Sequence, residues 1–406
     1  MGRAVDAPSP SFLAVHPSLP IVYAVAERAE TVAAYRRPAA SAASATSAAS
    51  AASAGSTILG STTPEPAIPG SAMTAPDGAP QLEPFGEPWP AGAAVCHVAV
   101  DPRGQFLTAT CWGDGRVLLY ELAPDGAIVS RHEAQAATDP HAAEAAAGSE
   151  ADTAAMLLRT GFAPRTSRAH CSLILPDARI MTTDLGYDLV RVWNFVPGTG
   201  LTLDHELTLP FWSGPRHLIS HPNGSVLVIT EYSVDVVVLT PRPAAATAPT
   251  SPASPSFEVT EVARTPTSAE PPAFDVAQNG RTATASGLPP FEVAQITSAT
   301  LRGPRTLDAG AELALSADGR FVYATVRSSN TVSTLRVDAR GHVHALADHP
   351  SGGDWPRHHL VQGLSLLIAH ERSSQITLFA LHPTSGLPTG PLKTLAVEAP
   401  TALIPA

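Results

Sequence analysis

One pattern recurs six times in this 406-residue chain, and it constrains the fold more than any other feature. "SFLAVHPSLPIVYAVAE" begins at Ser11, "CHVAVDPRGQFLTATCW" at Cys96 and "HCSLILPDARIMTTDLG" at His170. "RHLISHPNGSVLVITEY" begins at Arg216, "ELALSADGRFVYATVRS" at Glu312 and "RHHLVQGLSLLIAHERS" at Arg357. Each reads as a short apolar strand, a tight turn, a second apolar strand and a polar loop. A third strand usually follows, as in "RVLLYEL", "LVRVWNF", "VDVVVLT", "TVSTLRV" and "QITLFAL". The apolar runs are too short for helices and are bounded by Pro, Gly, Asn and Asp, so helical repeats are excluded. The turn prolines Pro176 and Pro222 are 46 residues apart (222 − 176). A unit of about 45 residues built from antiparallel strands is the signature of a β-propeller blade. The expected fold is all-β, a propeller with six clear repeats.

Longer steps between repeats coincide with two inserts and with an Ala/Glu-rich stretch near 133–156. Residues 39–85 and 241–296 are rich in Ala, Ser, Thr and Pro and poor in large apolar side chains. Such segments cannot bury enough surface to offset their ordering entropy, so both are expected to be flexible inserts. The whole chain, 1–406, then reads as one propeller domain.

The formal net charge is −11, which argues against nucleic acid or an acidic membrane surface as partner. An anion site would need a local basic cluster. No apolar run is long enough to span a bilayer, and "MGRAVDAPSP" carries no apolar leader, so a cytoplasmic protein is expected. Cys96, Cys111 and Cys171 are odd in number and form no CxxC pair, so they read as reduced, small apolar residues. No GxSxG, HExxH or P-loop pattern occurs, and "GDGR" and "SADGR" lack the further oxygens of a calcium loop. The histidines are scattered along the repeats, and neither a metal nor a cofactor is expected.

The chemistry-bearing residues fall at equivalent places. Folding "GPRHLISHPNGSVLVITE" at its "HPNG" turn brings Arg216 and Glu231 to the same end of one hairpin. In a propeller, equivalent ends of successive blades ring one mouth of the central channel. The strand starts there are His97, His170, Arg216 with His217, Glu312, and Arg357 with His358. The second-strand ends are Glu27, Trp112, Asp184, Glu231, Arg327 and Glu371. Strand ends are often polar, and salt bridges between blades use the same residue types. A rim this rich in His, Arg and carboxylate is nevertheless the expected functional site.

These stretches resemble the seven-bladed β-propeller lactonases, a family that includes propeller-type 6-phosphogluconolactonases and carboxy-muconate lactonizing enzymes. "DLGYDLVRVW", "GPRH" and "GGDWPR", in this order, carry the resemblance most specifically. It implies a seven-bladed propeller whose seventh blade is incomplete here. Family members begin with further strands that complete the last blade, and the C-terminal "VEAPTALIPA" is left with incomplete partners. The resemblance also implies that His170, Arg216, Glu231 and Arg357 are the catalytic groups. At the position two before His170 the family usually has a second His, whereas this chain has Arg168.

The expected reaction is hydrolysis of an anionic sugar-acid lactone, 6-phosphogluconolactone first. His170 or Glu231 would act as general base, and Arg216 and Arg357 would hold the oxyanion or a phosphate. His97, His217, Asp184 and Arg327 are expected to help bind substrate. The rival readings are another lactonase or a cycloisomerase acting on a carboxylated lactone, and a non-catalytic propeller scaffold.

Overall fold

A computed structural model of the chain describes residues 9–37, 82–149, 165–242 and 287–405, with residues 154 and 157 between. Six antiparallel sheets follow one another along the sequence, each a meander from an inner to an outer strand. The inner strands are Pro10–Val15, Val95–Val100, Ala169–Ile174, Pro215–Ser220, Ala309–Leu315 and Pro356–Gln362. From the first blade to the sixth, each packs against the inner strand of the next, which wraps the sheets around a common axis. In the first blade the outer strand is split, and Glu83–Pro84 and Trp89–Pro90 both pair with Thr31–Arg36.

The second strand of each blade explains the strength of the repeat signal. Ile21–Ala26, Phe106–Cys111, Val226–Thr230 and Phe321–Arg327 are buried throughout, because neighbouring blades cover both of their faces. They therefore read as continuous apolar runs rather than as alternating ones. Each large side chain so buried contributes about 1.5–3 kcal/mol. The outer strands are mostly exposed and alternate, as in Ile128–Glu133 and Phe291–Ser298.

The two inserts lie largely outside the described residues, but their edges are strand. Residues 83–84 belong to the first blade's outer strand, and Phe291–Ser298 is the outer strand of the fourth blade, paired with Asp235–Pro241. The alternation of "FEVAQITS" is the signal for it, and the preceding prolines mask it. The Ala/Glu-rich stretch contains a short helix, Ala142–Ala147. No helix among the described residues is long and apolar enough to cross a membrane.

Between the sixth and first blades lies the extended C-terminal segment 400–405. Its contacts copy those of an inner strand. Thr401 donates its hydroxyl to the Pro10 carbonyl (3.2 Å), as Ser11 does to the Val95 carbonyl (3.2 Å) one blade on. The Leu403 N–H donates to His358 Nδ1 (3.3 Å). The N–H groups of Ser172 and Leu313 likewise donate to His97 Nδ1 (3.3 Å) and His217 Nδ1 (3.4 Å). Among the described residues the ring thus has seven inner positions and six complete blades. Among the described residues no strand pairs with the seventh.

Candidate active site at the propeller mouth

Every inner strand begins with a register shift, at Pro10/Phe12, Val95/His97, Ala169/Ser172, Pro215/His217, Gly310/Leu313 and Pro356/His358. Such a bulge re-aims successive side chains. It divides the expected rim into two groups, one in the axis and one around the mouth.

The axial group is Phe12, His97, Cys171, His217, Glu312 and His358. Phe12 lies 4.2 Å from the His97 ring and 5.5 Å from that of His358, centroid to centroid. His97, His217 and His358 each accept a strand N–H at Nδ1, so each neutral ring carries its proton on Nε2. His217 Nε2–H donates to Glu312 Oε1 at 2.9 Å, and His358 Nε2 lies 3.6 Å from the same oxygen. His97 Nε2–H faces the Cys171 sulfur at 3.4 Å. Burial holds His217 down to about 3 and His358 to about 4, and it pushes Glu312 up to about 7 against the pull of His358 and Arg216.

His97, Cys171 and His217 offer ligand atoms within 4.8 Å of one another. The donor set nevertheless does not suit a cation. Both imidazoles present N–H to the axis, and burial keeps the Cys171 thiol protonated. His97 and His217, expected to bind substrate, belong to this axial group, and both are buried. Asp184 is also enclosed. Its carboxylate accepts N–H bonds from Arg168, Gly186 and Tyr187 and the Ser167 hydroxyl, so it braces a turn.

The mouth holds the remaining candidates. Arg216 Nε lies 3.0 Å from Glu231 Oε2, which joins the two ends of the fourth-blade hairpin. Arg327, at the end of the fifth blade's second strand, reaches the same oxygen at 2.7 Å. Arg216 also donates to the Ala311 carbonyl, and Arg327 to that of Gly310 (3.0 Å). Gly310 is required there, because a Cβ would collide with the Thr230 carbonyl. Arg357 repeats the arrangement in the sixth blade, 3.3 Å from Glu371.

Burial works to raise the Glu231 carboxyl, but Arg327 and Arg216 outweigh it and hold it below the usual range. Arg216 falls to about 10 through burial and the nearby Arg327, and it stays charged at neutral pH. His170 is pushed well below its ordinary value, first by burial and then by Arg216 and Arg357. Its ring is therefore neutral, and its Nδ1 has no hydrogen-bond partner among the described residues. The His170 carbonyl is anchored by Thr110 Oγ1 at 2.8 Å.

The mouth thus brings together Arg216, Glu231 and Arg327, and it places His170 and Arg357 in the same electrostatic field. Aromatic residues flank it. Arg372 lies 3.4 Å over the Trp355 ring with Arg327 at 5.3 Å, and Arg168 lies 4.1 Å over Trp112. Arg372 and Trp355 are absent from the expected site. Trp355 stands in "GGDWPR", directly before the inner strand that carries Arg357, and that adjacency was the available signal.

The family model for the seven-bladed β-propeller lactonases matches residues 70–405. The chain belongs to this family. The 6-phosphogluconolactonase of Bacillus subtilis (strain 168) is 22% identical over 318 residues, which cover 77% of this chain and 73% of that protein. Among solved structures, the periplasmic gluconolactonase of Pseudomonas aeruginosa superposes with a TM-score of 0.68 at 18% identity, over 98% of this lactonase-family chain and 88% of its own. A protein from Lactobacillus plantarum superposes at 0.67 and 18% identity, covering 99% and 89%. At these identities the two structures speak for the fold.

Proposed function

We propose that this propeller hydrolyses an anionic sugar-acid lactone, with 6-phosphogluconolactone as the first candidate. The observation that carries the reading is a neutral His170 whose Nδ1 has no hydrogen-bond partner among the described residues, within the field of Arg216, Arg357 and Arg327. Lactone hydrolysis needs a base for water, a counter-charge for the oxyanion and a proton for the leaving alkoxide. His170 takes the proton from water as it attacks the carbonyl. The imidazolium then returns that proton to the ring oxygen as the tetrahedral intermediate collapses. Arg216 and Arg357 face the developing oxyanion or the substrate's anionic group. Glu231, ionised between two guanidinium groups, is the weaker candidate for base and the stronger one for holding Arg216 in place. The three buried free thiols support a reducing compartment, and the net charge of −11 speaks against nucleic acid or an anionic membrane surface as partner.

The experiment is a rate comparison on 6-phosphogluconolactone and on unphosphorylated gluconolactone. Hydrolysis of the phosphorylated lactone above background, lost in His170→Gln and Arg216→Met, supports the reading. Equal rates for wild type and both variants would overturn it. A preference for the unphosphorylated lactone would retain the reaction and reassign the arginines to the oxyanion.

A further inference from the structure

A second set of side chains lies at the opposite end of the fifth blade. Strand Phe321–Arg327 ends at the mouth, and Thr331–Val337 runs back from it. The turn at 338–342 that leads into Val343–Pro350 is therefore on the far face, and its sequence is "DARGHVH". Asp338 Oδ1 accepts the backbone N–H groups of Arg340 (2.8 Å) and His342 (2.9 Å). Gly341, at φ 85°, permits this tight return. With Oδ1 committed to the backbone, Oδ2 is the carboxylate oxygen that faces the two histidines, and it shares a hydrogen bond with His344 Nε2. His344 Nε2 lies 3.3 Å from it and His342 Nδ1 3.8 Å. All three ligand atoms fall within 4.8 Å of one another.

We propose that Asp338, His342 and His344 form a surface site for a divalent cation of the zinc class. Two ligands on a tetrahedral zinc, at bonds near 2.0–2.1 Å, stand about 3.3 Å apart. The Asp338–His344 pair already has that spacing at 3.3 Å, and the His342–Asp338 pair, at 3.8 Å, is about 0.5 Å wider. Two imidazoles and one carboxylate suit zinc, nickel or copper rather than magnesium or calcium. The contrast with the axial cluster is chemical. There, strand N–H groups commit each Nδ1 and leave Nε2 protonated. Here, among the described residues, neither ring is tied by a backbone N–H, so each can turn a lone pair to the ion. The side chains of His342 and His344 are 47% and 60% exposed, so water can fill the open coordination positions. The ion would link the turn to the start of the outer strand. This site is independent of the chemistry proposed at the mouth.

The test is calorimetric titration of Zn²⁺ into tag-free protein near neutral pH, with Mg²⁺ as control. Saturable zinc binding is expected, without a magnesium counterpart, and it raises Tm by linkage. His344→Ala and His342→Gln should each weaken binding at least about tenfold. Circular dichroism establishes that these exposed substitutions leave the fold intact. Absence of saturable binding overturns the proposal. So does binding of equal strength in both variants, which would place the ion elsewhere.

Discussion

Glu231 and Arg327 meet at 2.7 Å across the joint between the fourth and fifth blades. Arg216 approaches the same carboxylate oxygen from within Glu231's own blade, so a single anion holds two guanidinium groups. Glu231→Gln removes the anion and leaves the cations facing each other. The expected loss is about 2 kcal/mol, less than for a fully buried pair because the Glu231 side chain is 21% exposed. Urea denaturation measures it. A variant as stable as wild type would show that the clamp contributes nothing.

His170→Gln should lower kcat/KM by about 10²–10⁴-fold, the range expected for losing a general base. Stability should change little, because among the described residues the ring makes no hydrogen bond through Nδ1. Steady-state kinetics on the lactone, beside a thermal melt, separates the two effects.

The same histidine sets a pH signature. Burial and the arginines hold its folded value well below 6.5, so activity should stay level as pH falls through 6.5. Arg357→Met removes one nearby positive charge and should move the acid limb toward higher pH. A pH–rate profile in which variant and wild type share one acid limb would remove Arg357 from the field around His170.

Stability should follow the axial histidines. Their folded values lie below the ordinary 6.5, at about 3 for His217 and about 4 for His358, with His97 well below. Between the folded and unfolded values the unfolded chain binds more protons, so stability is full above 6.5 and is lost as pH falls. Each histidine adds a slope of about 1.4 kcal/mol per pH unit in that window. Glu312, raised to about 7, has the opposite sign between its ordinary 4.5 and 7 and partly offsets them. Calorimetric melts from pH 8 to 5 should show Tm falling below 6.5, with His217→Gln flattening the fall.

Leu403→Pro deletes the N–H that reaches His358 Nδ1. It should cost about 1 kcal/mol beyond Leu403→Ala, which keeps that donor. Paired denaturation curves read the difference.

The blades were legible in the sequence because burial on both faces writes each second strand as an unbroken apolar run, as in "VLVIT" and "FVYATVR". The outer strand at Phe291–Ser298 was not, because its half-exposed alternation follows a Pro-rich segment. The hairpin argument placed Arg216 with Glu231 and Arg357 with Glu371, and both pairs are present. It placed His217 with Arg216 on the same rim. The bulge at Pro215/His217 separates the two, and a one-residue irregularity of this kind has no marker in residue type. Asp184 could not be told from Glu231 by position, since both end a second strand. What differs is the Asp184 neighbourhood of N–H groups, which only the folded turn supplies.

The segment 400–405 also governs where protons sit at the centre of the molecule. While the Leu403 N–H occupies His358 Nδ1, that imidazole must point its proton at Glu312. If the segment peels away, the ring is free to adopt the other tautomer and show the axis a lone pair. With the segment in place, the core of the ring therefore shows Glu312 a proton from this histidine rather than a lone pair.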